Sequence, residues 1–178
     1  MSRHTSILRR AIRQECRIHQ KEVRNPVGAR NGAMDAAVFA VRIAVGGLLL
    51  LAGALKIGHS TELAAAIASF RLLPAFVTGP LALALPFFEV LLGGYLVIGL
   101  FTRVVATVAC AQFIVYAVAV ASAVVRHIPA GCGCFGPNDT AVADWPHVAF
   151  DLGLALASAF IAYGAPGALA IDRRFRPS

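Results

Sequence analysis

The chain has 178 residues, 58% hydrophobic and only 14% charged, whereas an ordinary soluble domain is about a quarter charged. Its apolar residues fall in runs of roughly 20, the length an α-helix needs to cross about 30 Å of hydrocarbon, so lipid and not water is the expected solvent. The net charge of +7 comes with no zinc-finger spacing, RNP-like aromatic motif or basic recognition helix, which argues against a nucleic-acid partner. Four cysteines are too few for a disulfide framework.

Residues 1–33 form a basic arm carrying Arg3, Arg9, Arg10, Arg13, Arg17, Lys21, Arg24 and Arg30 against Glu15 and Glu22. Asn25-Pro26 and Gly28 break any helix before the first apolar run. Ile7, Leu8, Ala11, Ile12 and Cys16 recur at helical spacing, so the arm reads either as a solvated tail or as a segment lying on an anionic membrane surface. Translation starting at Met34 is a third reading. The arm lacks the short apolar core and small-residue cleavage site of a signal peptide.

Four spans follow, at 34–57, 80–100, 104–125 and 146–163. Between the first two, Thr61-Glu62 followed by Leu63, Ala66, Ile67, Phe70 and Leu73 predicts a short interfacial amphipathic helix stopped by Pro74. The expected fold is therefore all-α: a polytopic four-transmembrane-helix bundle over 34–165, with a short basic tail over 166–178.

Orientation follows from the retention of Lys and Arg on the cytoplasmic side. The eight of the arm, Arg103 in the second loop and Arg173, Arg174 and Arg176 of the tail make twelve on one side, against Lys56, Arg71 and Arg126 on the other. Both termini are expected in the cytoplasm, in a multi-pass protein of the cytoplasmic (inner) membrane, with the loop between Arg126 and Trp145 outside. Trp145 is expected to anchor the last span at the interface.

Charges inside spans are expensive, roughly 2.5 to 3.5 kcal/mol each at a helix centre. Counting helical rise from the span ends puts Arg42 about 12 Å from the inner edge and Glu89 about 13 Å from the outer one. In a core about 30 Å thick their levels then differ by about 5 Å. This predicts a buried polar layer of Arg42, Glu89 and Gln112 built on an Arg42–Glu89 pair, either a structural register lock or a substrate, quinone or proton site. Lys56 and Asp151, near the outer ends of their helices, are candidates for a second pair, although Lys56 can equally snorkel to the headgroups.

The sharpest motif is Gly131-Cys132-Gly133-Cys134-Phe135-Gly136-Pro137. Cysteines two residues apart lie at most about 7 Å apart at Cα, and a disulfide takes roughly 4.4–6.8 Å, so a backbone bent at Gly133 can close the bridge. The chain-entropy formula for so small a ring gives only about 1.6 kcal/mol, a poor staple but a workable exchanger. The outward side is also where disulfides form. Cys132 and Cys134 are thus candidate catalytic thiols. The rivals are Cu(I) or zinc bound with His127 or His147, which lacks paired ligand spacing, and an inert glycine-rich turn. No metal site is expected. Cys110, deep in the third span, reads as a packing residue, and Cys16 as a free thiol.

In their order these features resemble the MauE family, membrane proteins of methylamine utilisation, within the wider DoxX-like group of four-helix membrane proteins. The resemblance covers about 41–163. It rests on Arg42, Gly46, Gly53 and Lys56, on Leu73-Pro74, on Pro86, Glu89 and Gly93, and most specifically on Cys132-Gly133-Cys134-Phe135-Gly136. The basic arm lies outside that pattern, and His147 and Asp151 stand where an Arg-Asn pair is expected. The resemblance implies maturation of a periplasmic, disulfide-rich client, the small subunit of methylamine dehydrogenase, or a related thiol-linked redox task. Besides membrane lipid, the expected partner is therefore an extracytoplasmic protein thiol. No cofactor is read from the residues, and a quinone is the candidate electron acceptor. Alternative readings are a transport or small-molecule-binding protein, or a scaffold subunit of an oxidoreductase.

Overall fold

The computed structural model describes residues 32–131, 142–164 and 169–171. Among them the helices α1 (Gly32–Lys56), α2 (Ser60–Ser69), α3 (Ala75–Ile98), α4 (Thr102–Val125) and α5 (Trp145–Gly164) follow in order. All but α2 are long and apolar enough to cross a membrane. Large apolar side chains point outward, with Phe76 80%, Leu156 72% and Val104 64% exposed, while Arg42, Lys56, Glu89, Gln112 and Asp151 are buried. Such an outside is stable only in lipid, and the four spans make the chain an all-helical, multi-pass membrane protein.

Two boundaries differ from the sequence expectation. α3 begins at Ala75, not Pro80, and takes both Pro80 and Pro86 into its interior. Each proline removes one backbone donor, a loss that packed neighbouring helices tolerate inside a bilayer. Pro74, with φ −62° and ψ 147°, opens the helix as its cap. α2 ends at Ser69, short of Leu73, because Arg71 turns into the left-handed region at φ 52°. The Arg126 guanidinium, at the end of α4, donates to the Phe70 carbonyl and fixes this connection.

Between α3 and α4 the chain reverses over three residues. Gly99 closes α3 at φ 75°, its N–H donating to Tyr95 O at 2.9 Å, the left-handed stop that glycine adopts without strain. A Cβ there would also lie 2.6 Å from Nη1 of Arg42 and 2.8 Å from Cα of Ala170. α4 and α5 then run antiparallel, with Arg103 Nε at the start of α4 donating to Ala162 O near the end of α5 at 3.2 Å. At the opposite end of this hairpin Gly131 and Val142 form an antiparallel bridge, and Ala143 N donates to Ala130 O at 2.9 Å. The ends of α1 and α4 and the starts of α3 and α5 thus share one end of the bundle, the loop end.

Glycines set the contact between α1 and α3. A Cβ on Gly46 would lie 3.0 Å from Gly93 O, one on Gly93 would lie 2.6 Å from Gly46 O, and one on Gly53 would lie 2.7 Å from Pro86 O. Gly46 and Gly53 are seven residues apart, as are Pro86 and Gly93. This spacing brings the backbones into direct contact twice along one antiparallel seam. Val45, Leu49, Leu92 and Leu96 flank the seam and join Val105, Ala109 and Phe113 of α4 in one buried cluster. Gly93→Val should accordingly lower stability by at least ~1–3 kcal/mol through overpacking. Gly94→Val, whose Cβ meets nothing within 4 Å, should stay within about 0.5 kcal/mol. Thermal unfolding of the two variants in detergent distinguishes them, and equal losses would refute the seam.

α5 opens on Asp144, whose Oδ1 accepts from His147 N at 3.1 Å and from the His147 ring. These bonds, the ring's first and the backbone's second, hold the Asp144 carboxyl below its usual range. Because its folded pKa is depressed, the cap's contribution is fully present above the ordinary aspartate value of about 4 and is lost as pH falls through the lower folded value. Hydrogen exchange in the first turn of α5 should therefore show protection independent of pH above about 5 and declining only below about 4. Asp144→Ala should remove the acid dependence.

Candidate functional site

α1, α3, α4 and α5 each send a polar side chain into the bundle beneath the loop end. Lys56 Nζ donates to both carboxylate oxygens of Glu89, at 2.8 and 2.9 Å, with the two residues 4% and 1% exposed. Tyr116 OH donates to Glu89 Oε1 at 2.8 Å and accepts from Gln112 Nε2 at 2.8 Å. Gln112 Nε2 also reaches Glu89 Oε1 at 3.5 Å. The Lys56 ammonium lies 6.0 Å from the Tyr116 ring centroid, which adds a cation–π contact. A carboxylate that meets one cation and two further donors has its lone pairs satisfied, the condition under which a buried ion pair is tolerated.

The expected Arg42–Glu89 pair is not formed: Glu89 is held by Lys56. Helix ends were the wrong origin for judging depth, because α1 and α3 are staggered along their glycine seam. In the observed register Arg42 lies opposite Val97, about 12 Å along the axis from the level of Glu89. Side-chain direction completes the explanation. Every Cα–Cβ bond leans toward its helix N-terminus, so in antiparallel helices Lys56 leans down toward Glu89 while Glu89 leans up toward Lys56. Arg42 and Glu89 lean apart. Arg42 is fully buried near the other end, 5.4 Å from the Phe39 ring centroid and against Gly99.

Tyr116, absent from the sequence expectation, is the other partner. Its signal was its position four residues after Gln112, on the same face of α4. Asp151, 5% exposed, joins the group from α5. It shares a cavity with Lys56 and Glu89, but Lys56 hydrogen-bonds Glu89 and not Asp151. The cavity has a volume of about 50 Å³, room for a few waters and far below the ~300 Å³ where pockets for drug-sized ligands begin. His147 stands at its rim.

Cys132 and Cys134 lie outside the described residues, as does Cys16. Cys110 is a partly buried free thiol packed beside the core. Among the described residues no group of three His, Cys, Asp or Glu side chains is placed to hold a metal ion. Trp145 is exposed at the first position of α5.

The ion pair makes a prediction that discriminates the partners. Lys56→Met or Glu89→Gln alone should each cost about 3–5 kcal/mol, since each strands a buried charge, and the double variant should lose much less than their sum. Arg42→Met combined with Glu89→Gln should instead be additive, as the two side chains lie about 12 Å apart along the axis and lean away from each other. Folded yield and thermal unfolding of the five variants decide it, and coupling between Arg42 and Glu89 would overturn the pairing.

Comparison with curated proteins gives no match, and comparison with solved structures gives none either. The family described as Methylamine utilisation protein MauE matches residues 34–164, nearly the whole of the helical bundle and the polar site within it. The chain belongs to the MauE family and, with its four spans, is a multi-pass membrane protein of methylamine utilisation.

Proposed function

We propose that this protein is a membrane thiol–disulfide redox or maturation factor that works through Cys132 and Cys134 on the extracytoplasmic side, with both termini in the cytoplasm. The observation that carries the reading is the neck at the loop end. Ala130–Gly131 and Val142–Ala143 are held together by a bridge and a 2.9 Å hydrogen bond, with Ala130 and Ala143 buried. Gly131 and Val142, the described residues on either side of 132–141, therefore meet at one anchored point just before α5. In this reading a client thiol reaches Cys132 and Cys134 from solution without entering the bilayer.

The chemistry is a balanced exchange. A thiolate of a client dithiol attacks one sulfur of the Cys132–Cys134 disulfide and forms a mixed disulfide as the internal S–S bond breaks. The second client thiolate then displaces the mixed bond, leaving the client disulfide and two thiols at Cys132 and Cys134. The reverse sequence reduces a client. Membership in a family of methylamine utilisation supports a client such as the small subunit of methylamine dehydrogenase, or a related protein of that pathway.

Trapping tests this directly. In Cys134→Ser or Cys132→Ser protein the remaining thiol should accumulate a mixed disulfide with the client, identifiable by mass spectrometry. The parent protein equilibrated with glutathione should show a potential above about −300 mV, the ceiling typical of structural disulfides. A thiol reagent confined to the outside should label both cysteines after reduction. If neither bridge nor mixed disulfide forms in intact cells and both serine variants mature the client normally, the assignment is wrong.

A further inference from the structure

The buried polar site does not balance its own charge. Lys56 from α1, Glu89 from α3 and Asp151 from α5 are 4%, 1% and 5% exposed, so one cation faces two carboxylates. The cation is engaged, because Lys56 Nζ donates to both oxygens of Glu89. From α4, Tyr116 spends its hydroxyl proton on Glu89. From α5, the His147 ring is engaged by Asp144 at the rim. Asp151 Oδ2 is fully shielded from solvent and meets no hydrogen-bond donor among the described residues. A lone carboxylate at such a place calls for a proton or a cation.

The surroundings define which cation fits. Asp151 borders the cavity of about 50 Å³, whose other walls include Leu49, Ala52, Phe113 and Phe150. A metal ion stripped of water would need several oxygen ligands, and the described residues offer no cluster of three ionisable ligands. An alkylammonium needs less: one carboxylate for its N–H donors, and apolar and aromatic faces for its carbon and diffuse charge. A volume this small suits a cation with at most one carbon beyond its charged nitrogen. We propose that this cavity binds a small protonated primary amine, ammonium to methylammonium in size, with Asp151 as its counter-ion. At a pH where Asp151 carries a proton in the empty cavity, the amine cation replaces it, and one proton leaves for each cation bound. The proposal is independent of Cys132 and Cys134.

The test uses the full chain in lipid nanodiscs and radiolabelled methylammonium. Binding should be saturable at one site, and calorimetry at about pH 5 in buffers of different ionisation enthalpy should show release of about one proton per amine. Affinity should weaken as pH falls, and should still do so in His147→Gln, which removes the one histidine among the described residues that line the cavity. Asp151→Asn, isosteric and uncharged, should fold with unchanged helix content and bind methylammonium about tenfold or more weakly. Tetramethylammonium, too large for the cavity and without N–H donors, should not compete. Full retention of binding in Asp151→Asn, equal competition by tetramethylammonium or potassium, or binding without proton release would each overturn the proposal. So would an absence of saturable binding to the parent protein. Should Asp151→Asn fail to fold, proton release by the parent protein decides alone. Because Cys132→Ser/Cys134→Ser protein should bind the amine unchanged, a failure here is separable from a failure of the thiol reading.

Discussion

Burying a lysine and a glutamate among four apolar helices is tolerable only if each satisfies the other, and the arrangement of this bundle follows from how that is done. Lys56 cannot reach Glu89 unless α1 and α3 run antiparallel in one particular register. Glu89 cannot keep its remaining lone pairs occupied unless α4 turns Gln112 and Tyr116 toward it. Hydrocarbon offers no hydrophobic drive for helix association, so contacts of this kind, together with close packing, hold such a bundle together. A misregistered bundle would leave charges stranded in low dielectric, which gives the pair its specifying role.

The glycine seam provides the second half of the same constraint. Gly46, Gly53 and Gly93 let two backbones touch, and that contact fixes the stagger that brings Lys56 within reach of Glu89. Residues that share one motif in sequence therefore divide the labour in space: glycines set distance and register, the ion pair selects the partner. Arg42, seven residues and two turns before Leu49, belongs to the opposite end of the bundle and packs against the α3–α4 reversal at Gly99.

The loop end gathers the hydrogen-bonded polar group of Lys56, Glu89, Gln112 and Tyr116. Asp151 borders the cavity, His147 stands at its rim, and the bridge between Gly131 and Val142 ties the ends of the α4–α5 hairpin together.

Composition and apolar run length were enough to determine the solvent, the number of spans and the helical class, because a bilayer forbids unpaired backbone and leaves few alternatives at that length. The motif around Cys132 and the order of Arg42, Gly46, Gly53, Lys56, Pro86, Glu89 and Gly93 were likewise legible, and with them the family. The identity of Glu89's partner was not. Depth was counted from helix ends, whereas α3 starts at Ala75 and is staggered against α1, a displacement visible only once the glycine contacts are seen in three dimensions. Tyr116 was missed for a related reason: its hydroxyl becomes a site group only when α4 is rotated to face Glu89, and rotation of a uniformly apolar helix is set by its neighbours. The sequence by itself thus determined that charges must be buried and paired within a four-helix membrane protein. Tertiary packing decided which of them meet, because register and rotation belong to pairs of helices and to no single one.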